Sequence, residues 1–157
     1  MTIGISGHQD LGSPKEVAWI SARLRNELSK RTFSRGVSSL AVGADQLFAH
    51  IVLDLHHALE VVLPCRGYEK TFKNDDMRKV FAALKSQATH CQLLEFDAPS
   101  EEAFYRAGQR VVDLSDLMMF VWDGKPAKGR GGTADIVDYA IRCRRPYVHI
   151  ELNTFPE

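Results

Sequence analysis

The chain lacks the features that would set it apart from ordinary globular proteins. Of its 157 residues only three are cysteines, and Lys plus Arg equal Asp plus Glu at 20 each, so the net charge is zero. Cys65, Cys91 and Cys143 lie far apart and without metal-ligand spacing, which argues against a disulfide framework or a zinc site. We therefore expect a protein of the reducing cytoplasm with no metal and no cofactor.

The sequence also lacks a basic excess and a long apolar run. Proteins that bind nucleic acid nonspecifically usually carry an excess of Lys and Arg, so we do not expect nucleic acid as a partner. No apolar run approaches the ~20 residues of a membrane-spanning helix, and the N-terminal MTIGISGHQDLG does not resemble a signal peptide. We expect no membrane partner and a single domain over residues 1–157.

Strand-like and helix-like segments alternate along the chain with short connections. The alternation predicts βαβ units and hence an α/β, Rossmann-like three-layer sandwich, in which helices flank a mainly parallel sheet of about six strands. The predicted strands are residues 2–6, 38–42, 59–64, 91–96, 116–122 and 146–150. The predicted helices are residues 14–30, 44 to about 57, one or two within 68–88, 100–114 and 133–143.

A glycine-rich turn follows the fifth predicted strand and leads into the last helix. Gly129, Gly131 and Gly132 precede Thr133, the first residue of that helix. A helix N-terminus offers unpaired N–H groups and the positive end of its dipole, and glycines let a backbone approach a phosphate closely. The turn therefore predicts an anion site, to which the Thr133 hydroxyl can add a donor. The same glycines are also compatible with a purely steric role in a βα turn.

Polar residues follow two other predicted strands at the edge where ligands bind in such sheets. Ser6, Gly7 and His8 come after the first strand and are candidates for contacts to a phosphate or a ribose. A histidine can also act as an acid or a base near pH 7. Gly43 and Asp45 follow the second strand, and Asp45 can either cap the helix or bind a ligand hydroxyl.

Three segments in order along the chain, ISGHQDL, LAVGADQL and SDLMMFVWDGKPAKGRGGTADIVDYA, resemble the SLOG superfamily. Its members include the DNA-processing protein involved in transformation, the cytokinin-activating LOG phosphoribohydrolases and nucleotide-sensing domains. The resemblance implies a Rossmann-like domain that binds a nucleotide or nucleotide-derived small molecule as a sensor or binding module. It places the phosphate at Gly131–Thr133, adds Asp123 to the ligand-binding residues, and implies a homodimer or higher homo-oligomer.

The same resemblance suggests an alternative, an N-glycosidase that cleaves nucleoside 5′-monophosphates. LOG enzymes carry a glutamate in the motif Pro-Gly-Gly-x-Gly-Thr-x-x-Glu, and the corresponding position here is Ile136. Asp135 lies one residue earlier, which on a helix turns it by about 100°. The candidates for catalysis are therefore Asp45, Asp135 and His8, while the phosphate-binding part of the motif is retained. Single-stranded DNA binding is the third and least favoured class, because the neutral chain offers no electrostatic funnel.

Overall fold

A computed structural model describes residues 1–126 and 130–156. Six strands form one sheet in the order β4-β3-β2-β1-β5-β6, and every neighbouring pair is parallel. The prediction of an α/β Rossmann-like sandwich with about six mainly parallel strands is thereby confirmed. The strands are β1 Thr2–Gly7, β2 Arg35–Ser38, β3 Ala58–Leu63, β4 His90–Leu93, β5 Leu117–Trp122 and β6 Tyr147–Glu151.

Five α-helices connect these strands, and local sequence signals explain where two of them begin. Ser13 accepts a hydrogen bond from the N–H of Glu16 at the start of α1, and Ser100 does the same for Ala103 at the start of α4. The α-helices are α1 Pro14–Ser29, α2 Ala44–Asp54, α3 Asp75–Ser86, α4 Glu101–Leu114 and α5 Thr133–Arg142. Two short 3₁₀ turns cover Tyr68–Thr71 and Leu152–Thr154.

The helices cover both faces of the sheet and enclose two apolar cores. Ile5 and Val121 pack on the side of α1, α2 and α3, whereas Met118 and Phe120 pack on the side of α4 and α5. Successive residues of a strand point to opposite faces, which accounts for this division. Parallel crossovers are right-handed, so the helices change face after β4, where the next strand is added on the other side of β1.

The second strand begins three residues earlier and ends four residues earlier than predicted. We expected residues 38–42, but β2 is Arg35–Ser38, which pairs with β1 through Gly36 opposite Ile3. Gly36 leaves the space that the side chains of Phe48 and Val52 occupy, since a Cβ there would lie 2.5 Å from Val52. Residues 39–42 enter the turn instead. The fourth strand likewise ends at Leu93 rather than at residue 96.

Within residues 1–126 and 130–156, no helix is both long and apolar enough to cross a membrane. The same residues contain no group of three or more His, Cys, Asp or Glu side chains placed to hold a metal ion.

Candidate functional site

The strand order creates a crevice at the carboxyl ends of β1 and β5. From β1 the chain proceeds through β2, β3 and β4 to one side, and then returns to place β5 on the other side of β1. The loops that leave β1 and β5 consequently turn to opposite faces of the sheet. In open parallel sheets, ligands bind at such a reversal point, beyond the carboxyl ends of the strands.

The first wall of this crevice is the end of β1, where Ser6 and Gly7 lie half-buried. A Cβ at Gly7 would lie 2.5 Å from the Cβ of Ala44 and 2.8 Å from the carbonyl oxygen of Val121. The N–H of His8 donates to the same Val121 oxygen at 3.0 Å. Gly7 therefore has a packing role, because only a residue without a side chain fits between α2 and β5.

The loop after β2 is hydrogen-bonded to the loop after β1. Gly43 has a φ of 93°, and the N–H of Ala44 donates to the carbonyl oxygen of His8 at 3.1 Å. Leu40, which is fully buried, has a φ of 58° in the left-handed region that non-glycine residues rarely adopt. The hydroxyl of Ser38 accepts from the Leu40 N–H at 3.0 Å and donates to the carbonyl oxygen of Asp45 at 3.1 Å. These bonds hold the turn in its strained form.

Asp45 closes the same turn from within the first turn of α2. Its carboxylate accepts a hydrogen bond from the N–H of Ala41 at 3.4 Å, and the side chain is buried. Burial raises the pKa of Asp45 to about 7, and hydrogen bonds from the backbone of Ala41 and Ser39 offset part of that rise. Asp45 therefore does not cap α2, whose N-cap is Gly43 with no side-chain hydrogen bond; its carboxylate instead holds the loop that precedes the helix.

His8 and Asp123 meet across the crevice. The Nε2 atom of His8 lies 3.2 Å from Oδ1 of Asp123 and 3.3 Å from the backbone nitrogen of Asp123. Oδ1 also accepts from the N–H of Lys125 at 2.9 Å. That backbone hydrogen bond, followed by the contact with His8, lowers the pKa of Asp123. The pair thus connects the loop after β1 to the loop after β5.

The glycine-rich turn before α5 forms the second wall. Gly131 has a φ of 90°, and a Cβ there would lie 3.0 Å from the carbonyl oxygen of Glu101. The N–H of Gly131 donates to Oδ2 of Asp135 at 2.9 Å. Gly132 is the N-cap of α5, with no side chain to cap the helix, and it is exposed, whereas Thr133 is buried. Gly129, which was also predicted here, lies outside the described residues.

One residue of this turn has contacts that the sequence did not predict. The guanidinium of Arg130 lies over the ring of Tyr105 at 4.9 Å, and its Nη1 is 3.4 Å from Oε2 of Glu102. Both partners belong to α4, so they attach the turn to the helix that precedes β5. The only sequence signal is an arginine between glycines, which does not indicate the partner.

The structure brings some predicted site residues into contact and leaves others apart. His8 contacts Asp123 directly and contacts Ala44, next to Gly43, through its backbone. Asp135 contacts Gly131. In the part of the chain that the structure describes, no hydrogen bond or ion pair connects Ser6–His8 directly to Arg130–Thr133. The region between these two walls, at the carboxyl ends of β1 and β5, is the candidate ligand site.

Comparisons with known proteins bear on the fold of this site. No protein-family model matches the sequence, and none of the curated proteins matches it. Solved structures that resemble the chain include the following three. DNA processing protein A from Helicobacter pylori superposes with a TM-score of 0.69 at 20% identity, covering 98% of this chain and 67% of that one. DNA processing protein A from Streptococcus pneumoniae superposes at 0.65 and 14% identity, covering 94% and 49%. The structural-genomics target TM1055 superposes at 0.59 and 14% identity, covering 93% and 71%.

These similarities establish the architecture. The chain has a Rossmann-like α/β fold with its crevice between β1 and β5. More particularly, the chain shares its fold with the two DNA processing protein A structures and with TM1055, in agreement with the resemblance of its motifs to the SLOG superfamily. The chain spans about two thirds of the Helicobacter structure and about half of the Streptococcus structure.

The comparisons also correct one expectation. Zero net charge led us to expect that nucleic acid would not be a partner, and this prediction is wrong. The Helicobacter protein, which shares the fold over 98% of this chain, is described as having a single-stranded DNA binding mode. The physical reason is that binding depends on where charges and hydrogen-bond donors lie on the surface, and a sum over the whole chain does not record their positions.

Proposed function

We propose that this domain binds the phosphate of a nucleotide in the crevice between the ends of β1 and β5. The observation that carries the proposal is the direct contact of His8 with Asp123 at the point where the strand order reverses. It brings the β1 loop and the β5 loop to one place, as the resemblance to nucleotide-binding SLOG proteins requires. A phosphate there would meet the N-terminus of α5, with its unpaired N–H groups and dipole.

The contacts of Asp45 and Asp135, the candidate catalytic carboxylates, and of the neighbouring Asp123 favour binding over cleavage. Asp45 accepts from the N–H of Ala41, Asp123 from that of Lys125, and Asp135 from that of Gly131. Each carboxylate thus holds a loop in place, as expected for a preformed binding site. An N-glycosidase would require one of them to face the sugar or a water.

Single-stranded DNA is the second candidate for the ligand that carries this phosphate. The observation in its favour is that the Helicobacter neighbour with this fold has a single-stranded DNA binding mode. A nucleotide and a DNA strand both present phosphate oxygens, so one crevice can accept either ligand.

A substitution at Gly132 tests the proposed site without disturbing the fold. Gly132 is exposed, has a φ of −70° and a ψ of 170°, and caps α5 without a side chain. Asp and Asn are both favourable N-caps, and they differ by one charge. Gly132→Asp should therefore place a carboxylate where the phosphate binds, whereas Gly132→Asn keeps the cap and adds no charge.

Binding is measured as a thermal shift with AMP, GMP, CMP, ADP-ribose, NAD, cyclic nucleotides and a single-stranded oligonucleotide. A ligand at 100 times its dissociation constant stabilises the protein by about 2.7 kcal/mol, which gives a clear shift. We expect a shift that Gly132→Asp abolishes and Gly132→Asn retains. A ligand whose shift survives in Gly132→Asp binds elsewhere, and the absence of any shift in the wild type contradicts the proposal.

A further inference from the structure

The carboxylate of Asp135 already occupies part of the proposed phosphate site. Its Oδ2 atom accepts the N–H of Gly131 at 2.9 Å, and this N–H belongs to the turn that opens α5. An anionic ligand at the same helix end would therefore lie beside a fixed negative charge. The repulsion between them increases with the charge of the ligand.

Arg130, the arginine of the turn, does not fully neutralise the charge of Asp135. Arg130 lies 3.4 Å from Glu102 and over the ring of Tyr105, so that part of its positive charge is neutralised by α4. Glu102 also pairs with Arg106 at 3.1 Å, so the carboxylate that remains beside the N–H of Gly131 is that of Asp135. Such a site discriminates among phosphates according to how many negative charges each one carries.

We propose that Asp135 makes this site select phosphodiesters over terminal phosphate monoesters. The inference rests on the proposed function, since it concerns the charge of the phosphate that binds at that same crevice. A phosphate monoester carries a charge of about −1.5 to −2 at pH 7, whereas a diester carries one negative charge. The additional charge of the monoester is repelled by Asp135, and the diester avoids that cost. The ligand class is therefore an internal linkage of a nucleic-acid strand or of a dinucleotide.

The test compares two ligands that differ by one charge. AMP is a phosphate monoester, and its methyl ester is a diester with the same base and sugar. Their affinities are measured by isothermal titration calorimetry for the wild type, for Asp135→Asn and for Asp138→Asn. Asp138 lies on the same helix, is exposed, and provides a matched loss of one charge away from the turn.

We expect the wild type to bind the methyl ester about tenfold more tightly than AMP, which corresponds to about 1.4 kcal/mol. Asp135→Asn should bring this ratio close to one by improving AMP binding, while Asp138→Asn should leave it unchanged. The inference is overturned if the wild type does not prefer the ester, or if Asp138→Asn changes the ratio as much as Asp135→Asn does.

Further measurements distinguish a DNA strand from a dinucleotide as the source of the diester. They also distinguish failure of the selectivity from failure of the proposed function. A short oligodeoxyadenylate without terminal phosphates and the dinucleotide ApA distinguish a DNA strand from a small dinucleotide, according to which binds more tightly. Equal binding of AMP and its ester, abolished by Gly132→Asp, would leave the proposed function intact and refute the selectivity. Failure of the wild type to bind any of these ligands would refute the proposed function together with it.

Discussion

His8 and Asp123 are 115 residues apart in sequence, and the Nε2 atom of His8 lies within 3.3 Å of both the Oδ1 atom and the backbone nitrogen of Asp123. Through this contact the loops after β1 and β5 support each other at the crevice. The two side chains are 32% and 28% exposed, so both are accessible from solvent.

A double-mutant cycle should detect this contact in the stability of the free protein. His8→Ala and Asp123→Ala should each lower the free energy of unfolding. The double variant should lower it by less than the sum of the two single losses. Partly exposed pairs of this kind are coupled by about 0.2–1 kcal/mol, which urea denaturation can resolve.

His149 provides the control for this cycle. Its Nε2 atom lies 2.9 Å from the carbonyl oxygen of Trp122 and 3.5 Å from Glu151, on the neighbouring strand β6. His149→Ala combined with Asp123→Ala should give additive losses. Additive losses for His8 and Asp123 would show that their proximity contributes nothing to stability.

The buried carboxylate of Asp45 should make the stability depend on pH. Its pKa is raised from 3.8 to about 7, so the folded protein holds a proton that the unfolded chain releases. The contribution of Asp45 is therefore fully present below about pH 4 and is lost as the pH rises toward 7 and beyond. As the pH rises over this range, the free energy of unfolding of the wild type should fall relative to that of Asp45→Asn, by at most about 1.4 kcal/mol per pH unit.

Urea denaturation between pH 4.5 and pH 8 measures this difference in the free energy of unfolding. The range covers most of the interval between the ordinary pKa of 3.8 and the raised pKa of about 7. Asp54→Asn is the matched control, because Asp54 is the exposed last residue of the same helix. Parallel stability profiles for the wild type and Asp45→Asn would mean that Asp45 does not titrate in this interval.

Gly7 should tolerate no side chain. A Cβ at this position would lie 2.5 Å from the Cβ of Ala44 and 2.9 Å from that of Val121, and both belong to packed elements. We expect Gly7→Ala to destabilise the protein by about 1–3 kcal/mol, the usual cost of overpacking. Thermal unfolding of Gly132→Ala serves as the comparison, since Gly132 is exposed and has a φ of −70°. A small loss for Gly7→Ala would indicate that α2 can move away from the strand.

Local sequence signals predicted most of the fold. Ser13 with Pro14 and Ser100 with two following glutamates start helices where expected, because a cap acts within one turn of the chain. The second strand was misplaced because residues 38–42 are apolar enough for a strand. Its position instead follows from the pairing of Gly36 with Ile3 and from the space that α2 needs above it.

The candidate site was predicted in part. The residues at the strand ends were identified from the rule that ligands bind at that edge, and His8 and Asp123 do meet there. The partners of Asp45 and Asp135 were not predicted, although each accepts an N–H only four residues back in sequence. Whether such a carboxylate turns toward the loop or toward the ligand depends on the backbone angles of the turn, which at Gly131 include a φ of 90°.

The sequence by itself determined the alternation of strands and helices, the helix starts and the glycine-rich turn, since these depend on neighbours within a few residues. Only the tertiary structure decided that β5 pairs with β1 on the side opposite to β2, β3 and β4. That pairing brings His8 to Asp123 and forms the crevice at the ends of β1 and β5. The contact requires two distant segments to pair in one register, with Gly7 opposite Val121, and no local pattern specifies that register.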